Sequence, residues 1–563
     1  MPAYPETRKK SGIGLPPRGW PLAVLLFLYI VPGLIGHDPW KVDDAAAFGV
    51  VYDMLQRGSW LTPSIAGQDY PHAPLYYWFA ALVGKPLSWA LPLHDAVRLA
   101  SGLLTFLILG FAHLAARALH GRDFAVAAPL LLAGSIGFLV HAHQLQPMLL
   151  TLAAHFAAYW ALALIDQRPR QAAFLFGAAL GFGMLGDGLV LMAMLLPLAA
   201  GAFVLSSDKR KSGPALLTAL IVAAAILALW LLPLALQAPH YLGAWWKLEM
   251  ARMLGSAPPW STAPSYLGML PWYAWPAVPL AGWTLWRKRR LLRTPALALP
   301  LLGFFVTLLG LSLSYEARSA PALLLLPPIV LLAVPGLPSL RRGAANAMDW
   351  FGMMTFTLFA GLIWIGWCAM VFRWPERLAR QVVRLEPGFT GSFATLPFIL
   401  ALLATAAWIW LIVSSPRSPF RGMTHWAAGV TLFWLLAATL WLPWVEYGKT
   451  YRPLAAALAR ALPANHECIA GAGLADAQRA SFDYFSGIVT LPADSAAGRR
   501  CDWLLTQGTV RGDDNAPGDE WKKVWQGNRP GDRSEKFRLY RRDEPATPPA
   551  TGPATEPDAE TPN

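Results

Sequence analysis

The sequence predicts an all-α polytopic membrane domain of about thirteen spans, followed by a small polar α/β domain. Three observations point there. Of 563 residues, 55% are hydrophobic and only 14% charged, with 27 tryptophans, a balance that no soluble globule of this length has. Apolar stretches long enough to cross a bilayer alternate with short basic loops along most of the chain. After Trp444 the composition turns polar and mixed.

A span needs roughly 20 apolar residues. The stretches that qualify are 20–36, 96–116, 124–141, 147–165, 171–186, 188–205, 214–236, 266–286, 295–313, 319–337, 349–372, 393–413 and 424–444. An odd number puts the termini on opposite sides. With the N-terminus inside, the cytoplasmic segments carry Arg8, Lys9, Lys10 and Arg18; Arg117 and Arg122; Arg168 and Arg170; and Lys209, Arg210 and Lys211. They continue with Arg287, Lys288, Arg289, Arg290 and Arg293, then Arg341 and Arg342, then Arg417 and Arg421. The three short loops opposite, around 142–146, 187 and 314–318, hold a single basic residue, Arg318. A missed span would break this alternation, so it supports the count and the orientation together. The basic run before the first span looks like a signal peptide. The span ends in Pro32-Gly33-Leu34-Ile35-Gly36-His37-Asp38 without a small-residue cleavage site, which reads as an uncleaved anchor. The net charge of +13 is spent on membrane anchoring, and no basic face with interleaved aromatics suggests nucleic acid.

The same alternation sorts the chemistry. The stretch 37–95, the His141-Ala142-His143-Gln144 loop, Asp187, the loop 237–264, Glu316 and the C-terminal domain all fall on the outer side. Charges at a membrane edge are costly and default to a functional hypothesis. Directly after the first span, Asp43 and Asp44 head a short amphipathic helix with Phe48, Val51, Tyr52 and Leu55 on one face and Gly58 at its C-cap. The pair is either a proton-handling site or an N-cap. A second amphipathic piece, Tyr241 to Leu254, offers Trp245 and Trp246 to the interface and projects Lys247, Glu249 and Arg252. The segment 373–394 reads as a solvated connector.

The domain plan is therefore 1–445 for the membrane part, 446–543 for a soluble outer α/β domain and 544–563 for a Pro/Thr/Glu/Ala-rich disordered tail. The outer domain opens with the helical run Pro453–Leu462. β-like pieces follow at Cys468–Ala470, Ile488–Leu491, Trp503–Thr506 and Lys536–Arg541. Cys468 and Cys501 pair if the domain is extracytoplasmic and stay free if not; Cys368 is a small core residue.

Around the acidic pair the chain resembles the GT-C integral-membrane glycosyltransferases of the aminoarabinose-transferase and protein O-mannosyltransferase type. The residues that carry the likeness are Asp43-Asp44, Gly58-Ser59-Trp60, and the run Tyr70-Pro71-His72-Ala73-Pro74-Leu75-Tyr76-Tyr77-Trp78. It is sharpest over 37–110 and extends plausibly to 340. The resemblance implies an inverting transfer of a sugar from a polyprenyl (undecaprenyl) phosphate to a lipid, glycan or protein acceptor at the periplasmic face of a bacterial inner membrane. It implies Asp43 as general base, its basicity raised by partial desolvation at the bilayer edge. Asp44, His72, Tyr76, Tyr77, Lys247, Arg252 and Arg318 are the implied substrate-binding residues, in contact with membrane lipid and the donor. The family's phosphate-gripping lysines are absent: Pro71-His72-Ala73 stands where Glu-Lys is usual, Asp187 where a lysine precedes glycine, and Gln146-Pro147-Met148 where an aspartate is usual. A divalent metal (Mg, Mn or Zn) held by Asp187, Glu249 and His143 would replace the lost charge.

Two other classes compete. A catalytically weakened homologue serving as a binding or assembly subunit in envelope glycan modification would also lack the lysines. A transporter would place its polar groups near the midplane between repeats, whereas here they gather at one face. Nothing of Rossmann or P-loop type marks a nucleotide donor.

Overall fold

The computed structural model describes residues 19–40, 42–255, 259–416, 418–509, 518, 520–532 and 534–543. Arg8, Lys9, Lys10, Arg18, Arg417 and the 544–563 tail lie outside the described residues. The chain divides into two compact units, Met1–Thr450 and Tyr451–Asn563.

The first unit is almost entirely helical. Every stretch long and apolar enough to span contains helix, though not always as one rod. Among the described residues seven helices are long and apolar enough to cross a membrane, including Leu93–His120, Lys209–Gln237, Pro295–Ser314 and Arg342–Val371. Trp20–Ile30, Met148–Ala163 and Val190–Leu205 are apolar but shorter. The 124–141 stretch is split into Ala127–Ala133 and Ile136–Ala142 at Gly134-Ser135. The 266–286 stretch straddles Pro259–Tyr273 and Ala277–Arg287, parted at Pro276, whose missing N–H cannot continue a helix. Burial separates centre from rim: 89% of the apolar window of Pro321–Ser339 is buried against 11% for Thr395–Ser414. The second of these therefore presents its apolar side chains outward, as a lipid-facing helix does. The 373–394 segment, expected as a solvated connector, contains the helix Glu376–Leu385 with no buried residue. Its Leu378, Val383 and Leu385 are exposed beside Arg377, Arg380 and Arg384, the composition of an interfacial helix.

The acidic pair opens the helix Asp43–Arg57, which ends at Gly58 in the left-handed conformation (φ 73°) as its sequence signals. Neither aspartate is the N-cap. That position is Val42, which makes no side-chain capping bond. A two-residue hairpin follows, Ser64–Ile65 against Gln68–Asp69. Its turn residues Ala66 and Gly67 both have positive φ, which matches the twist of the flanking strands. The fully buried Asp53 ties this hairpin to the helix by accepting bonds from Ser64 Oγ (2.8 Å) and Gly67 N–H (2.9 Å).

Among its described residues the second unit is a five-stranded mixed sheet with two α-helices. In spatial order its strands are Leu491–Pro492, Ile469–Ala472, Trp503–Gly508, Lys536–Arg542 and Trp521–Gly527; the first three are parallel and the last two antiparallel. The strand Trp521–Gly527 escaped the sequence reading because its lysines lie on an exposed edge, where charge guards against stray pairing. Its helices are Arg452–Ala461 and Asp476–Ser486. Cys468 and Cys501 form a disulfide with Cα atoms 5.3 Å apart.

Candidate active site

A cavity of about 820 Å³ opens in the first unit, within the range of small-molecule sites. Its wall draws on six separate segments: Asp43, Tyr70 to Tyr77, Val140 to Met148, Gly186 to Asp187, Arg252, and Ser314 to Pro321. These are the segments that the loop charges assign to one side of the membrane.

Asp43 lies in this wall with its carboxylate open to the cavity rather than desolvated. Its Oδ2 accepts a bond from Gln146 Nε2 at 2.8 Å. Asp44 points the other way and is 1% exposed. It accepts from Trp40 N–H (2.9 Å) and Leu145 N–H (2.8 Å), and it pairs with Arg98 at 3.3 Å. Arg98 is itself fully buried and also reaches Asp95 Oδ1 (3.0 Å) and the carbonyls of His37 and Leu34. Burial alone would raise the Asp44 carboxyl; Arg98, His37 and the two backbone N–H groups outweigh it and hold Asp44 below the ordinary range. Asp44, expected among the substrate-binding residues, is therefore outside the cavity wall. It fixes the end of the first span, the acidic helix and the 145–146 loop to one guanidinium.

Across the cavity, Arg252 at the end of helix Pro239–Leu254 lies between two carboxylates. It donates to Glu249 Oε1 (3.1 Å) and to the Asp187 carbonyl (3.3 Å), and its second amino group is 3.7 Å from Asp187 Oδ1. Tyr315 Oη donates to Asp187 Oδ2 at 2.6 Å, and the guanidinium lies 5.2 Å from the Tyr315 ring centre. Leu189 N–H donates to Glu249 Oε2 at 2.7 Å. Burial pushes the Asp187 and Glu249 carboxyls upward, with Arg252 opposing. Gly188 makes the cluster possible: at φ +86° a Cβ there would stand 2.1 Å from Glu249 Oε2.

His72 lines the cavity, stacked on Tyr70 with ring centres 3.9 Å apart, and its Nδ1 is buried without a hydrogen-bond partner. The Tyr70 backbone is held from behind by Tyr241 Oη at 2.6 Å. Burial, and next the charge of Arg252, push the His72 imidazole down to about 3. An unfolded histidine titrates near 6.5, so the unfolded chain binds more protons once the pH falls below that value. Stability owed to a neutral His72 is thus complete above about pH 6.5 and is lost as the pH falls from there toward 3. His72→Gln is expected to flatten the acid side of the melting-temperature profile; an unchanged acid side would contradict this burial account.

Other residues of the sequence-derived set are placed elsewhere. Tyr77 is in the wall, but Tyr76 is wholly buried behind it with Oη 3.1 Å from Ser101 Oγ. Lys247 is exposed and not in the wall, because it projects from the side of its helix opposite the buried Tyr241 and Trp245. Arg318 is in the wall, paired with Glu316 at 2.6 Å. The metal set does not converge. Both ring nitrogens of His143 face carbonyl oxygens, those of Leu139 and Tyr29 (2.7 Å each), and Asp187 and Glu249 are committed to Arg252, Tyr315 and Leu189. Among the described residues no three His, Cys, Asp or Glu side chains gather to hold a metal ion.

Sequence reasoning missed Arg98 and Asp95. Their signal was available: two charges within the first two turns of an apolar helix, on the side where the acidic pair lies.

No protein-family model matches the chain. It is 26% identical over 413 residues to the undecaprenyl phosphate-α-4-amino-4-deoxy-L-arabinose arabinosyl transferase of Photorhabdus laumondii, covering 69% of each chain. Its fold is similar to the crystal structure of ArnT from Cupriavidus metallidurans bound to undecaprenyl phosphate, with TM-score 0.66, 17% identity, and 92% and 97% of the two chains covered. A more distant likeness joins it to the oligosaccharyltransferase AglB from Archaeoglobus fulgidus, with TM-score 0.50, 9% identity, and 86% and 69% covered. In sequence and in fold, the chain resembles the GT-C integral-membrane glycosyltransferases of the aminoarabinose-transferase kind.

Proposed function

We propose that the chain is an inverting glycosyltransferase that takes a sugar from a polyprenyl (undecaprenyl) phosphate and gives it to a hydroxyl of a lipid, glycan or protein acceptor. The observation that carries this reading is the cavity itself: an open carboxylate, Asp43, lines the same space as the side chains of Arg252 and Arg318. Asp43 takes the acceptor's hydroxyl proton as the oxygen attacks the anomeric carbon. The bond from that carbon to the phosphate oxygen breaks, and the polyprenyl phosphate leaves with the electron pair. Arg252 and Arg318 supply positive charge where the phosphate's negative charge grows. Neutral His72, with its bare Nδ1, and Tyr77 line the space left for the sugar. In this reading the cavity opens on the periplasmic side of a bacterial inner membrane, with the N-terminus cytoplasmic and the second unit periplasmic, and the alternation of loop charges supports it. The Cys468–Cys501 disulfide is in keeping with that compartment.

A second reading, a weakened homologue that binds without turning over, is favoured by one feature. Arg252 is a single cation between two carboxylates, so it meets a phosphate already neutralised. The two readings part in one experiment: the purified protein in liposomes is given undecaprenyl-phosphate sugars, and release of undecaprenyl phosphate is followed. Release that depends on acceptor supports the transferase. Retained binding of undecaprenyl phosphate with no release from any donor would leave the second reading.

A further inference from the structure

We infer that Gln146 is the positioning residue of the base: its amide fixes which oxygen of Asp43 is free to take a proton. Gln146 is 4% exposed and lies in the cavity wall. The two ends of its amide have different partners. Met148 N–H, the first donor of helix Met148–Ala163, lies 3.2 Å from Gln146 Oε1. A backbone N–H only donates, so that end must be the carbonyl, and the amide's –NH₂ must face Asp43. There it meets Asp43 Oδ2 at 2.8 Å. The loop that carries it is pinned one residue earlier by Leu145 N–H on Asp44 Oδ1, at 2.8 Å. The acidic pair and the 145–146 pair thus hold each other twice, once under the wall and once in it. Oδ2 is occupied by a neutral donor, and Oδ1 is left for chemistry.

The neutrality of the partner matters as much as its geometry. The other ionisable groups in the wall around Asp43 are His72, His141, Asp187, Arg252, Glu316 and Arg318 and the phenols of Tyr70, Tyr77 and Tyr315, with the Asp44–Arg98 pair beneath. Asp187 and Glu316 both have partners of opposite charge in Arg252 and Arg318. A carboxylate in place of the Gln146 amide would face Asp43 at hydrogen-bond distance with no cation between them. Two carboxyls so placed share a proton and titrate as a unit.

This inference rests on the transferase reading, and its test separates the two. In Gln146→Glu the acid limb of kcat/KM for transfer is expected to move up by one pH unit or more. In Gln146→Met, which keeps the volume and loses the donor, kcat is expected to fall about 10-fold with KM for the donor within twofold, since orientation rather than binding is lost. Both variants are first checked for an unchanged melting temperature. A readout free of turnover runs in parallel: the protonated-carboxyl infrared band that Asp43→Asn removes, titrated against pH. If that band titrates at a higher pH in Gln146→Glu, residue 146 faces the Asp43 carboxyl as inferred, and an absence of turnover would then count against the transferase reading alone. If the band, the pH profile and kcat all match the unaltered protein, the role is overturned.

Discussion

Asp43→Asn is expected to lower acceptor-dependent release of undecaprenyl phosphate by about 10²–10⁴-fold, the range a positioned general base supplies. The amide keeps the shape of the side chain and can still meet Gln146 but cannot accept a proton. Because Asp43 is exposed to the cavity and makes no capping bond, the substitution should leave the melting temperature unchanged. The loss should therefore appear in kcat with little change in the affinity for undecaprenyl phosphate. Full transfer activity in a well-folded Asp43→Asn protein would refute the assignment of the base. A parallel loss of stability would instead mean that this carboxylate is structural.

Arg98→Met is the converse case. Removing the guanidinium leaves Asp44 and Asp95, 1% and 3% exposed, without the cation that faces them both. Breaking a buried ion pair from one side costs about 3–5 kcal/mol, because the remaining charge cannot regain its water. The expected result is a melting temperature many degrees lower, with transfer lost through collapse of the site rather than through chemistry. Lysine is expected to rescue only in part, since one ammonium cannot reach Asp44, Asp95 and two carbonyls as the planar fork does. A protein with unchanged melting behaviour in Arg98→Met would remove Arg98 from the framework of the site.

These two substitutions mark the boundary between what was legible in the sequence and what was not. Asp43 stood out as a candidate because a carboxylate directly after an apolar span, heading an amphipathic helix, is costly; its role as base came from the family resemblance. His72, Asp187, Arg252 and Arg318 were legible as members of one set, because charge alternation assigned four separate segments to one side. The cavity wall is drawn from those segments. Asp44, Tyr76, Lys247 and His143 were candidates from the same outer segments, through the family resemblance or the metal expectation, and none of them lines the cavity. Sequence spacing names the side of a membrane but not the direction of a side chain. Asp44 differs from Asp43 by one residue, about 100° around the helix, and that rotation separates an open carboxylate from one sealed against Arg98.

The sequence by itself determined the class of the molecule, its apolar stretches, the polar unit at the end of the chain and the face on which its chemistry gathers. These depend on composition and period, which each segment carries locally. Tertiary structure alone decided which charges neutralise one another. Arg98 meets Asp44 from 54 residues away, Gln146 meets Asp43 from 103, and Arg252 meets Asp187 across 65. No local pattern encodes such pairings. They exist because packed helices bring distant segments within hydrogen-bond reach, where a low dielectric makes every unpaired charge expensive.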